Sequence, residues 1–311
     1  KATYFIKLNQ TTVLPSFHTR NIASNVFLQY LGIGNKAFDL NLKKKAFQMA
    51  KTDGKHEVAK TFIKYTDELG NRSVKTLGEL WEEAKALGVV DSGVFAQEYG
   101  ATSASKGLLK SMSGKFDPTD TSNFFAYKKG AEFGSRIEFM DRFMFFVANI
   151  ESGKTFEQSR DIVNKYMLDY GDVTAFEQSV MKRIIPYYTW MKKNASIQLS
   201  EMIQNPHKYQ TIAKVSRGIE NMSDKEARVE QRYLNDFALD WIQLPFEVRG
   251  KWGQMEQAMW NPAMPYMDIS KYPLTTNLSD LAKALIPNAN PLLKVPVEIA
   301  TNHNTFFDDE I

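Results

Sequence analysis

The stretch 121–150, TSNFFAYKKGAEFGSRIEFMDRFMFFVANI, constrains this chain more than any other. Two Glu–Arg pairs at i,i+4 spacing and two apolar stripes predict one long α-helix, and a helix that is apolar on two faces packs between neighbours. Buried charge is costly unless it is paired, so the charges in this helix predict a polar seam or an interface. The candidate residues are Arg136, Glu138, Asp141 and Arg142. An ion pair within the chain is the simpler interpretation; an interface or channel wall is the alternative.

Helical signals continue on both sides of this stretch, and strand signals are few. Capping boxes, proline starts and glycine stops mark the ends of the helices. Besides 121–150, the predicted helices span 15–32, 35–51, 55–69, 76–88, 155 onward, 174 onward, 186–204 and 223–242. We therefore expect an all-α fold, an irregular helical bundle with a long central helix.

Composition suggests how this bundle is divided. A Gly/Ser-rich stretch within 91–120 predicts a flexible connector, and most of the eleven prolines fall after residue 243, which predicts an extended strap with short helical turns. The strap is also apolar, so we expect it to wrap along its own domain or a neighbour. The expected parts are N-terminal helices at 1–54, a variable helical insert at 55–120, a helical core at 121–242 and a wrapping tail at 243–311.

Charge and cysteine content exclude several classes of protein. The net charge of +3 is too small to indicate nucleic-acid binding without local clustering, and the absence of cysteine excludes disulfides and thiol chemistry. The longest charge-free run, between Arg20 and Lys36, is shorter than the roughly 20 apolar residues of a membrane span. We expect neither a transmembrane helix nor a signal peptide. The chain starts at Lys1, and we interpret it as a fragment or a processed product.

The aromatic stretch RIIPYYTWMKKNASIQL, residues 183–199, has three interpretations. It is a nucleic-acid grip, a membrane wedge, or the start of a helix that buries aromatic surface. Lys192 and Lys193 are only two cations and are expected to point away from Tyr188. The structural interpretation is therefore favoured, with a buried stripe through Tyr188 and Met191.

Candidate chemical sites are weak. Gly153-Lys154-Thr155 lacks the upstream glycine and strand of a phosphate loop, and the four histidines show no metal-ligand spacing. The acidic end, with Asp308 and Asp309, is a weak candidate for a divalent ion. Lys43-Lys44-Lys45 is the first candidate for DNA contact. No nucleophile, base and orienting group can be assembled, and we expect no enzyme, no cofactor and no metal.

Three segments occur in a specific order: FHTRNIASN at 17–25, DYGDVTAFEQSVMKRIIPYYTWMKKN at 169–194, and NPLLKVPVEIATNHNTFF at 290–307. Together they resemble a region of very large tailed-bacteriophage virion proteins, the large polyvalent or internal, ejection-type proteins. The residues that carry this resemblance form a structural signature. They are Phe17, His18, Arg20, Asn21, Ser24, Asn25, Asp169, Tyr170, Asp172, Thr174, Phe176, Glu177, Pro186, Tyr188, Thr189, Trp190, Asn194, Lys294, Pro296 and Glu298. Val173, Tyr187 and Lys193 depart mildly from the pattern, and 35–120 matches no part of it.

The resemblance implies a structural virion protein, packaged near the portal and delivered with the DNA. The implied partners are other virion proteins (portal, capsid or copies of itself), with genomic DNA and the host membrane as further contacts and no small-molecule substrate. The implied location is the virion, and the host cell after infection. Two alternatives remain open: a membrane-active ejection-channel module and a non-catalytic part of a large phage-encoded enzyme.

Overall fold

A computed structural model describes residues 15–67, 70–93, 125–185, 187–222, 241–261, 264–267, 289, 291–304 and 309–310. These residues are mostly helical. The α-helices are α1 (Pro15–Ile33), α2 (Leu40–Thr52), α3 (Leu77–Ala86), α4 (Phe125–Glu151), α5 (Phe156–Tyr166), α6 (Lys182–Ile184), α7 (Tyr188–Gln204), α8 (Pro206–Glu220) and α9 (Pro291–Thr301). Short 3-10 helices lie at Gly34–Phe38, Glu57–Lys60 and Val90–Ser92, and a π-helix at Glu177–Met181 leads into α6.

Three antiparallel strand pairs accompany the helices. They are β1 (Phe62–Thr66) with β2 (Arg72–Thr76), β3 (Ile242–Arg249) with β4 (Met255–Trp260), and the two-residue pair β5 (His303–Asn304) with β6 (Asp309–Glu310). The prediction of an all-α fold was therefore only partly right: the described residues are mostly helical, but they also form three small sheets. The helix predicted at 55–69 is a 3-10 turn followed by β1, because β2 lies close enough to pair with it in register.

The long central helix is confirmed. It spans α4, and every residue from Asp141 to Ile150 is buried. Phe143, for example, meets the Trp81 ring edge-on at a centroid distance of 4.9 Å. One hydrophobic cluster, with α4 through its centre, includes buried residues from α1, α2, α3, α5, α7 and β1. The segment 55–93 thus contributes side chains to the same core as α4.

Local signals place the shorter helices well. Thr76 and Thr155 both form complete capping boxes, with Glu79 and Gln158 as their reciprocal partners. The predicted helix at 35–51 is divided, since Asp39 caps a new helix at Leu40 after a 3-10 turn. The predicted helix 223–242 lies outside the described residues as far as 240, and its predicted end at Ile242 was wrong, because β3 begins there. Most of the connector within 91–120 also lies outside the described residues.

The buried face of α7 differs from the prediction. Tyr188 and Met191 are half-buried, whereas the fully buried residues of α7 are Thr189, Asn194, Ile197, Gln198 and Glu201. Four of these five are polar, and Asn194, Gln198 and Glu201 form side-chain hydrogen bonds, while Ile197 and Trp190 join the hydrophobic core. A search for an apolar stripe therefore selected the wrong face.

Candidate functional site

Among the described residues, four clusters of polar and charged side chains join the helices, and the first is centred on Asp141 of α4. Asn25 Nδ2 donates to Asp141 Oδ2 over 2.8 Å, and Gln29 Nε2 donates to Oδ1 over 3.0 Å. Burial raises the pKa of Asp141, while Lys43 of α2 and the two amides act in the opposite direction. Burial also lowers the pKa of Lys43. The cluster joins α1, α2 and α4 through a desolvated carboxylate.

The second cluster is centred on Arg142, the next residue of α4, whose side chain is fully buried. Its Nη1 donates to Ser92 Oγ over 2.8 Å, and its Nη2 donates to the carbonyl oxygens of Met167 and Leu168 over 2.7 and 2.6 Å. Those carbonyls follow the last turn of α5, where a cation complements the partial negative charge at the C-terminal end of the helix. Leu168 adopts a left-handed backbone, with φ of 58°. Arg142 therefore ties α4 to a strained turn after α5 and to the 3-10 turn that contains Ser92.

Glu138 lies one turn before Arg142 and is also buried, with Oε1 3.8 Å from the Arg142 Nε atom. The backbone of Gly93 passes so close that a Cβ atom there would lie 2.0 Å from Glu138 Oε1. Arg136 has a different environment: its side chain is 42% exposed and lies 3.9 Å from Glu132 at the surface. Of the four charges predicted to form a seam, the structure brings Glu138, Asp141 and Arg142 into the interior and leaves Arg136 outside.

The third cluster connects the two halves of the signature segment 169–194 through Glu177. Glu177 Oε1 accepts from Tyr188 Oη over 2.9 Å and from Lys192 Nζ over 2.6 Å, and its Oε2 accepts from the Thr174 backbone nitrogen over 2.9 Å. These contacts, with the Lys192 bond the largest, lower the pKa of Glu177 to about 2. A neighbouring pair, Lys193 with Asp172, spans 2.8 Å.

The expectation that Lys192 points away from Tyr188 was wrong. The two residues are four apart on α7 and therefore share a face of the helix, where both bind the same carboxylate. Their role in this structure is to hold α7 against the π-helix.

A further polar network was missed by the sequence analysis. Glu201 Oε1 accepts from Tyr166 Oη over 2.5 Å and its Oε2 from Asn205 Nδ2 over 2.8 Å, with Lys165 and Lys208 as ionic neighbours. Burial raises the pKa of Glu201, but the hydrogen bonds and the lysines outweigh it and the net shift is downward. The only sequence signal was that polar residues recur at helical spacing along one face of α7.

The same face of α7 binds the C-terminal part of the chain. Tyr209 Oη donates to Gln198 Oε1 over 2.8 Å, Gln198 Nε2 donates to Asn194 Oδ1 over 3.1 Å, and Asn194 Nδ2 donates to the Pro265 carbonyl over 2.7 Å. Next to Pro265, the Tyr266 ring meets Phe27 of α1 at a centroid distance of 5.5 Å.

The remaining signature residues have varied environments. His18 meets the rings of Phe17 and Phe133 edge-on, whereas Arg20 and Phe176 are exposed. Asn21 is half-buried, and Ser24 and Thr189 are buried. The Asp169 carboxylate accepts from the Gly171 nitrogen, the Tyr170 nitrogen donates to the Ser92 carbonyl, and Trp190 packs on the core. Lys294 and Glu298 pair over 3.4 Å on α9, which contains Pro296, and Pro186 lies outside the described residues.

Within the described ranges, no group of three His, Asp or Glu side chains is arranged to hold a metal ion. None of the helices described is both long and apolar enough to cross a bilayer. The run Lys43-Lys44-Lys45 is not a uniform solvated face, because Lys43 turns toward Asp141 and only Lys44 is exposed. Asp309 lies in β6, paired with Asn304, and Asp308 lies outside the described residues.

No protein-family model, curated protein or solved structure matches this chain in sequence or fold comparisons. The geometry of the site is therefore interpreted from the chain's own contacts.

Proposed function

We propose that this chain is a structural protein of a tailed-bacteriophage particle, a segment of a larger internal or ejection protein. In this proposal it is packaged near the portal and delivered with the DNA, and its role is assembly rather than catalysis. Its partners are other virion proteins, with genomic DNA and the host membrane as contacts during ejection.

One observation carries the proposal: signature residues from separate segments form side-chain hydrogen bonds that join different elements of the fold. Asn25 joins α1 to Asp141 of α4, and Asn194 joins α7 to the Pro265 carbonyl. Glu177 and Tyr188 join the π-helix to α7. The carboxylates of Asp141 and Glu177, the amides of Asn25 and Asn194 and the Tyr188 hydroxyl are thus all engaged in hydrogen bonds within the fold. Such use is typical of residues that specify a fold.

Exposed apolar side chains support an assembly role. Large hydrophobic side chains face solvent on β1, α7, α8, the β3–β4 hairpin and α9, at Phe62, Ile203, Val215, Val248 and Ile299. Neighbouring proteins in a particle would bury these side chains and gain hydrophobic free energy from them. This accords with a protein that functions packed against neighbours in a particle.

The test is quantitative mass spectrometry of purified particles before and after triggered DNA release. Peptides of this chain are expected in full particles and to be depleted in emptied ones, relative to major capsid protein peptides as the fixed standard. Equal amounts in both would make the chain a fixed part of the shell or tail. Absence from both would overturn the proposal.

A second assay addresses the enzyme alternative. The purified chain is incubated with DNA or a peptide library and a divalent metal, beside a variant with both Asp308→Asn and Asp309→Asn. No hydrolysis is expected from either. Metal-dependent hydrolysis that the double variant lacks would assign the chain a catalytic role and contradict the proposal.

A further inference from the structure

The β3–β4 hairpin has a buried base and a fully exposed end. Near its base, Ile242, Gln243 and Ala258 are buried. From residue 245 to 249 and from 251 to 256, every residue is exposed. An isolated two-stranded hairpin is marginal in water, and one that carries apolar side chains on its free end is less soluble still. The distal half of this hairpin therefore has the character of a binding surface.

The turn places two particular side chains at the far end. Arg249 pairs with Met255 in the last rung, and the Gly253 nitrogen donates to the Gly250 carbonyl over 3.0 Å. Lys251 and Trp252 are the two central residues of that tight turn. Trp252 is 84% exposed, and the Lys251 Nζ lies 5.4 Å from the centre of its ring.

The end of the hairpin carries two cations, exposed apolar side chains and one neighbouring carboxylate. The tip, Arg249 to Met255, holds two cations and no acid. No carboxylate of the described residues forms an ion pair with Arg249 or Lys251. Glu256 and Glu247 lie one and two rungs behind the last pair. The Glu256 carboxylate nevertheless reaches forward to the turn: Gln254 Nε2 donates to it, and a Cβ atom on Gly250 would lie 2.2 Å from its Oε1. Met255, opposite Arg249, is exposed, and so are Val248, on the other face of the strand, and Phe246.

We propose that the hairpin tip, with Trp252, Arg249 and Lys251, is an anchor that binds the surface of an anionic lipid bilayer. Tryptophan is favoured at the level of lipid headgroups, because its ring is apolar and its N–H is polar. Arginine and lysine beside it match the negative headgroups, and the aliphatic side chains enter the acyl boundary. The proposal deepens the membrane contact named in the proposed function by assigning it to these residues, and the flotation assay tests it independently of the particle assay.

Single-stranded nucleic acid is the competing partner. A stacking platform needs several aromatic rings along a basic groove, and the tip has one ring and two cations. The exposed side chains of Val248 and Met255 cannot bind phosphate groups, whereas they can be buried among lipid acyl chains. The observations therefore favour the bilayer.

The experiment is vesicle flotation of the full 311-residue chain. One set of vesicles is phosphatidylethanolamine with phosphatidylglycerol, and the other is phosphatidylcholine alone. The variants are Trp252→Ala, the double change Arg249→Gln with Lys251→Gln, and the control Ile203→Ala, which removes an equally exposed apolar side chain from α7. Because these side chains are exposed, all variants are expected to keep the wild-type circular dichroism and unfolding midpoint.

The wild type and Ile203→Ala are expected to float with the anionic vesicles. The charge variant should partition about twenty-five-fold less, since each basic side chain near an anionic surface contributes a factor of about five. Trp252→Ala should lose binding even at low salt, and the wild type should show a blue-shifted tryptophan emission that this variant lacks. No flotation of the wild type would overturn the proposal, as would flotation to which Trp252→Ala is indifferent. Tight binding to an oligothymidylate without flotation would assign the tip to nucleic acid instead and equally overturn it.

Discussion

Asn25 and Asp141 are 116 positions apart in sequence, and the amide of the first donates a hydrogen bond of 2.8 Å to the carboxylate of the second inside the core. Asn25 belongs to the first signature segment, and Asp141 to the charges predicted for the long helix. Two features noted separately in the sequence are thus one contact between α1 and α4. Two amide donors and Lys43 reduce the desolvation cost of this carboxyl group among buried phenylalanines, although burial remains the larger effect on its pKa.

Removing the Asp141 carboxylate should be costly, whereas neutralising it should be mild. Asp141→Ala leaves the buried Asn25 amide without its carboxylate acceptor and leaves Gln29 only the longer bond, 3.3 Å, to the backbone carbonyl of residue 141. We expect a loss of about 2–4 kcal/mol in unfolding free energy. Asp141→Asn keeps the shape, and rotation of the Asn25 amide restores one bond. Urea denaturation of both variants measures the difference. Equal losses would show that the negative charge itself stabilises the contact.

Arg142 and Arg136 provide a matched pair on one helix. Arg142→Met removes the cation beside the buried Glu138 carboxylate and the donor to the carbonyls of Met167 and Leu168, so a loss of about 3–5 kcal/mol is expected. Arg136→Ala removes only a surface pair with Glu132 and should change stability by less than about 1 kcal/mol. The midpoints of thermal unfolding test this order. Similar values for the two variants would contradict the interior position of Arg142.

Sequence reasoning succeeded where the signal is local. Thr76 and Thr155 each carry their capping partner three residues later, and that spacing alone defines the start of a helix. It failed at 62–66, where a short FIKYT run becomes a strand only because 72–76 pairs with it. Pro245 was among the prolines that predicted an unpaired, extended strap, but it lies in β3, which pairs with β4. The proline lies within the register shift between Gln243 and Glu247, an irregularity that a paired strand tolerates.

The polar contacts of the candidate site were only partly predictable. The two apolar faces of the long helix predicted that it is buried, and a buried helix requires partners for its charged side chains. Which partners those are depends on chain crossings, such as that of Arg142 with Ser92, that no spacing encodes. Glu201 was missed for the same reason: its partners come from α5 and α8, and only the folded chain assembles them.

Gly32 should be intolerant of a side chain, and Gly218 tolerant. A Cβ on Gly32 would lie 2.4 Å from the Phe145 ring, whereas one on Gly218 meets nothing within 4 Å. Gly32→Ala therefore overpacks the contact of α1 with α4 and should cost about 1–3 kcal/mol. Gly218 is exposed on α8, so Gly218→Ala should raise the unfolding free energy by about 0.5–1 kcal/mol, because alanine has the higher helix propensity. Urea midpoints that move in the same direction would contradict the close approach of α1 to α4.

Glu177 should make stability depend on pH in the acid range. Its pKa is about 2 in the folded chain against an ordinary value of 4.5, so the folded state holds the proton less tightly than the unfolded state. Its contribution is complete above pH 4.5 and is lost as the pH falls towards 2. The difference in unfolding free energy between the wild type and Glu177→Gln should therefore shrink over that interval.

Lys192→Met identifies the cause of this shift, because the Lys192 hydrogen bond is its largest source. A double-mutant cycle between Glu177→Gln and Lys192→Met should show favourable coupling at pH 7 and almost none at pH 2. Asp141 titrates with the opposite sign, since burial raises its pKa, but it is present in all four proteins and cancels from the cycle. Coupling that persists at pH 2 would mean that the 2.6 Å contact does not depend on the carboxylate charge.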